Sequence, residues 1–139
     1  MKRTMMALTA LLGAAVAAYA AVPAKVMEGP TGKVWTDTNG MTLYTFDKDE
    51  AGKTNCYDDC ARNWPPLAAD TNAKTEGEWS LVDRTDGTKM WAYEGHPLYT
   101  FIGDKAPGDV TGDGKGGFDV EELIDVRFVP LLDGVAKEL

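Results

Sequence analysis

Histidine and cysteine are nearly missing from this chain of 139 residues: His96 is the single histidine, and Cys56 and Cys60 are the only cysteines. Serine is as scarce, with Ser80 alone. These shortages narrow the chemistry. A Ser-His-Asp triad would have to use Ser80 and His96, and Ser80 falls in a predicted strand. A structural zinc site needs four ligands, and two Cys with one His do not supply them. A c-type haem needs C-x-x-C-H, whereas these cysteines are spaced C-x-x-x-C with no histidine after them. A phosphate-binding glycine loop, a G-x-S-x-G elbow and an H-E-x-x-H pair are all absent. Carboxylates are plentiful, so a two-carboxylate glycosidase stays open as the enzyme alternative. It is the least favoured reading, because Asp and Glu fall mostly in turns and tails, where solvated surface is the rule. The sequence leans away from an enzyme.

Long hydrophobic runs are also scarce. The longest, Met5 to Val16, follows Lys2 and Arg3 and leads to Ala18-Tyr19-Ala20. A charged start, a short apolar stretch and an A-x-A end are the layout of a secretory signal peptide. The run is too short and alanine-rich for a good membrane span. Residues 1–20 are therefore expected to be a signal peptide, and no cysteine near residue 20 offers a lipid anchor. The processed chain is expected in the periplasm or outside the cell, as one small domain. Basic residues are outnumbered: 14 Lys and Arg, less Lys2 and Arg3, against 22 acidic residues give a processed charge of −10. That sign argues against nucleic acid and anionic membrane surfaces as partners. An envelope or extracellular partner is expected instead.

What the chain has is a repeat. "KVWTDTNGMTLYTFDKDEAG" (residues 33–52) and "KMWAYEGHPLYTFIGDKAPG" (residues 89–108) share Lys-apolar-Trp, Gly, then Leu-Tyr-Thr-Phe-x-x-Asp-x-Ala, with one residue more in the first copy's turn. Internal duplication is the economical reading. Each copy reads as a β-hairpin of β-branched, aromatic and apolar residues, turning at Asp37–Gly40 and at Glu94–Pro97. A further turn at Arg84–Thr88 joins "WSLV" (Trp79–Val82) to "KMWAY", so residues 79–101 read as a three-stranded meander. The predicted fold is mainly β, a single small antiparallel-sheet domain over residues 32–130, made of two related hairpin units with a short helical segment between them. Residues 21–31 are expected to be a flexible N-terminal stretch. Ile124–Val129 is expected to add a strand, Val120–Leu123 or the tail a short helix, and the acidic tail 131–139 a docking element.

Alternation along a strand puts Tyr44 and Phe46 on one face, Tyr99 and Phe101 likewise, and Leu43 and Leu98 on the other. Packed core is the favoured role for these rings; a stacking platform for a sugar or flat ligand is the alternative. Asp49 and Asp104 are expected to end the strands by accepting turn N–H groups, with a shared cation site as the alternative. Tyr44-x-Phe46-x-x-Asp49 and Tyr99-x-Phe101-x-x-Asp104, with "CYDDCARNWPPL" between and "DGTKMWAYEGHPLYTFIGDKAPGD" after, resemble the bacterial "secreted repeat" family, commonly described as lipoproteins carrying that motif. The resemblance covers roughly residues 32–117. It implies little about function and no catalytic residues. The chain departs from the family in lacking a lipid-attachment cysteine, and in carrying Phe118 where a Trp is expected.

For Cys56 and Cys60 the exported setting favours a disulfide, since positions i and i+4 on a helical turn are close enough to bridge. The alternative is a copper or thiol-redox site with His96 as third ligand; Asp58 and Asp59 disfavour the thiolates it needs. Asp109, Thr111 and Asp113 occupy positions 1, 3 and 5 of a calcium-type loop, with Gly114 at position 6. The match fails at Gly116 and at Val120, where an apolar residue and a bidentate Glu are required. No cofactor is expected; calcium and copper are the two candidates weighed.

Overall fold

Turn chemistry sets the strands. In the computed structural model, which describes residues 22–30 and 32–122, Asp37 Oδ1 accepts the N–H of Asn39 and of Met41, both at 2.9 Å. That closes the first hairpin, and Thr36 pairs with Thr42 across it. Gly40 sits in the turn at φ 85°, and a Cβ there would meet Pro107 Cβ at 2.9 Å, so the close approach needs glycine. In the second copy only Glu94 and Gly95 form the turn, at φ 49° and 82°, and Tyr93 pairs with His96.

The elements in order are β1 (Ala24–Gly29), β2 (Gly32–Asp37), β3 (Tyr44–Phe46), α1 (Asp59–Asn63), β4 (Ala68–Ala69), β5 (Trp79–Asp83), β6 (Lys89–Tyr93), β7 (His96–Pro97) and β8 (Phe118–Val120). The mainly β, antiparallel architecture, with one short helix among the described residues, agrees with the reading of the sequence. The meander expected over residues 79–101 forms as β5–β6–β7, but its third strand stops at Pro97, and Tyr99 pairs with Tyr44 instead. Two local expectations fail. Residues 21–31 were expected to be a flexible lead, yet Ala24–Gly29 forms β1, paired along its length with β2 from Ala24↔Asp37 to Gly29↔Gly32. Of the two places expected for a short helix, Val120–Leu123 fails, because Val120 ends β8, opposite Tyr44, and the other, the tail, lies outside the described residues. The expected strand Ile124–Val129, the signal peptide at 1–20 and the tail 131–139 lie outside the described residues.

The two repeats are related by an approximate two-fold axis at Tyr44 and Tyr99. These equivalent residues pair with each other: Tyr44 N donates to Tyr99 O at 2.7 Å and Tyr99 N to Tyr44 O at 2.9 Å. The backbone pairings around the axis then occur twice. Leu43 N donates to Trp35 O at 2.9 Å within the first repeat, and Leu98 N to Trp91 O at 3.1 Å within the second. The closing strands are exchanged. Leu67, at the end of repeat one, donates to Leu98 O and accepts from Trp91 N, both at 2.9 Å. Glu121, at the end of repeat two, donates to Leu43 O at 2.9 Å and accepts from Trp35 N at 3.1 Å. Each repeat's sheet is thus completed by the other repeat's last strand.

The rings follow the same symmetry. Phe46, Phe118, Trp64 and Phe101 stack in a column, with centroids 4.3, 3.8 and 4.3 Å apart in that order. Tyr44 meets Trp64 edge-on at 5.2 Å and Tyr99 meets Phe118 edge-on at 5.4 Å. Trp64 and Phe118 are therefore equivalent positions. Tyr44 and Tyr99 are fully buried in this cluster, with Phe46 and Phe101 half-buried beside them. Leu43 and Leu98 lie across the sheet in a second cluster with Trp79 and Trp91. Burial of each such side chain contributes about 1.5–3 kcal/mol.

Candidate functional site

The repeated motif is a pair of tyrosines bonded to carboxylates, and the partners are crossed. Tyr44 OH donates to Asp104 Oδ2 at 2.7 Å, and Tyr99 OH donates to Asp49 Oδ2 at 2.5 Å. Each Tyr of one repeat holds the Asp of the other. The second oxygen of each carboxylate takes a turn: Asp104 Oδ1 accepts Thr111 N at 2.9 Å and Thr111 Oγ1 at 2.6 Å, and Asp49 Oδ1 accepts Asn55 N at 2.7 Å. The expected capping role is present, and the tyrosine bond is the part that local reading missed. Burial pushes both phenols well above their ordinary range, and the carboxylates beside them add to the shift. Burial also raises Asp49, against the bonds from Tyr99 and Asn55 that lower it. A neutral Tyr that cannot readily ionise suits a permanent donor rather than an acid–base catalyst.

Further groups gather at the Tyr99–Asp49 pair. Thr54 Oγ1 lies 2.5 Å from Tyr99 OH, and the buried Arg84 donates through Nη2 to Cys56 O at 2.9 Å. The Arg84 guanidinium lies 4.4 Å from the Tyr57 ring centroid and 3.6 Å from Asp86. Sequence reading took "RTDGT" only as a turn and missed Arg84. An arginine in a turn gives no signal of burial until its partners on a distant loop are known. Cys56 and Cys60 are bridged by a disulfide, with Cα atoms 5.3 Å apart, across the start of α1.

The remaining sequence candidates stay apart. His96 is exposed in β7, and both cysteine sulfurs are bonded to each other. Asp109 Oδ2 accepts Lys105 N and Ala106 N, each at 2.9 Å, which lowers its pKa. Thr111 is committed to Asp104, and Asp113 Oδ1 accepts Val120 N at 3.1 Å. Among the described residues no three His, Cys, Asp or Glu side chains are grouped to hold a metal ion.

A groove of about 370 Å³ opens on the other face of the sheet, where the segment after β4 passes over β6. Trp91, Ala68, Ala73 and Pro23 form its apolar lining, and Asp70, Asn72 and Lys74 its polar one. Among the described residues these three polar side chains enter no ion pair and no side-chain hydrogen bond. One more titratable group stands out. Glu121, at the position equivalent to Leu67, has its carboxyl pushed up to about 7 by burial and by Glu94.

Comparison with known proteins agrees with the internal symmetry. The family model described as a secreted repeat of unknown function matches residues 25–68 and 80–119, one segment for each half of the two-fold arrangement. A stretch of 27 residues is 82% identical to part of the protein-L-isoaspartate O-methyltransferases of Caulobacter sp. (strain K31) and of Caulobacter vibrioides (strain NA1000 / CB15N). That stretch is 19% of this chain, which spans 12% of the length of those curated relatives. No solved structure matches. Among the described residues no helix is long and apolar enough to cross a membrane. Two matched segments, each ending in the strand that closes the other, show that the chain belongs to the family of the secreted repeat of unknown function.

Proposed function

We propose that the protein is an exported, non-catalytic binding protein of the cell envelope, and that its ligand site is the groove over Trp91. The observation that carries this reading is the set of polar groups of Asp70, Asn72 and Lys74, which have no side-chain partner among the described residues, beside an apolar lining. An acceptor carboxylate, an amide that both donates and accepts, and an ammonium next to an indole suit a polar ring compound such as a sugar. The motif carboxylates do not compete for this role, because Tyr44 and Tyr99 already occupy them. The copper reading has less support, since the sulfurs it needs form the disulfide.

Chemical-shift mapping with N-acetylglucosamine oligomers tests the site. Shifts are expected at the backbone of residues 68–74, at the Asn72 side-chain amide and at the Trp91 indole. They should be lost in Asp70→Ala/Asn72→Ala. An unchanged spectrum at millimolar sugar, or shifts that persist in the double variant, would count against the groove.

A further inference from the structure

We infer that the interface between the two repeats is an exchangeable docking surface, and that its second partner is another copy of this chain. The argument is independent of the groove's ligand. Neither repeat contains its own closing strand: Leu67 closes on Leu98 and Trp91, and Glu121 on Leu43 and Trp35. Neither motif tyrosine finds its carboxylate in its own repeat. Even the turns are crossed, with Gly52 N donating to Gly95 O at 2.8 Å and Gly108 N to Gly40 O at 3.0 Å. A contact set that repeats under a two-fold axis is self-complementary, the property of an interface between identical partners.

Residues 70–78, "DTNAKTEGE", are the covalent tie between the repeats, and they are mostly exposed and polar. None of these crossed bonds involves them. Repeat one of one molecule can therefore close on repeat two of another and keep every one of those bonds. Within one molecule the short tie holds the halves at a high effective concentration, on the order of millimolar, so the closed monomer prevails when the protein is dilute. Crowding many copies at one surface, or stretching the tie, shifts the balance toward exchanged pairs.

The test uses the full chain with a protease site inserted between Lys74 and Thr75, cut after folding. Cut protein is made in unlabelled and ¹⁵N-labelled form, and the two are mixed and read by native mass spectrometry. The halves are expected to stay together at the size of the uncut protein, with a melting midpoint that rises with concentration. After denaturation and refolding of an equal mixture, about half of the complexes should carry one labelled and one unlabelled half. Halves that separate on cutting, whether each stays folded or both unfold, would overturn the inference, as would complexes that never mix.

Discussion

Asp104 is nearly buried and keeps both oxygens satisfied, one by Tyr44 and one by Thr111. Removing a single donor leaves a desolvated carboxylate oxygen bare, which costs more than a hydrogen bond contributes. Tyr44→Phe and Tyr99→Phe are each expected to lower stability by about 1–3 kcal/mol, measured by urea unfolding. A loss below a few tenths would mean that water replaces the phenol. Glu121 makes a pH-dependent contribution. Its folded pKa of about 7 lies above the ordinary 4.5, so between these values the folded chain holds a proton that the unfolded chain has lost. Its contribution is full below pH 4.5 and fades as pH rises through 7. Unfolding midpoints should therefore fall between pH 5 and pH 8, and Glu121→Gln should shrink that fall. An equal fall in the variant would assign the pH dependence elsewhere.

Among the elements, α1 is short and has no side-chain N-cap, so it depends on what fastens it. The Cys56–Cys60 disulfide closes a loop with a sequence separation of 4, and Arg84 grips the Cys56 carbonyl from repeat two. A loop this small stabilises by about 2 kcal/mol in the chain-entropy picture. Cys56→Ala/Cys60→Ala is expected to lose about that much in urea unfolding, plus the cost of a small cavity at the fully buried Cys56. A loss near zero would show that Arg84 and Trp64 hold the segment unaided. The elements differ in how well the sequence announces them. β5 and β6 do so through their apolar and aromatic runs and the "TDG" turn. β1, "AKVMEG", does not, because it is half exposed and flanked by Pro and Gly, and only pairing with β2 makes it a strand. "DVEELI" resembles a helix start, but β8 takes Val120 for Tyr44's strand, an instance of tertiary pairing overriding local preference.

For the molecule as a whole, duplication, the inward faces of Tyr44 and Tyr99 and the cysteine pairing were all legible in spacing and alternation. The crossing of partners was not. Tyr44 lies five residues before Asp49 and Tyr99 five before Asp104, and equal spacing in both copies says nothing about which Asp each Tyr reaches. Exchange of identical strands leaves the hydrophobic pattern unchanged, so pattern reading cannot detect it. Symmetry also makes departures informative: Phe118 stands for Trp64 within the ring column, and Glu121 for Leu67 beside the tryptophans. The first keeps the shape of the stack, and the second puts a titratable group where its twin is apolar.

Because the last strand of the second repeat completes the sheet of the first, the first repeat cannot finish folding early. A ribosome must release Phe118 to Glu122 before residues 34 to 46 gain their final neighbour. Until then the nascent polypeptide stays open along that edge, the condition in which threading through a narrow conduit is easiest.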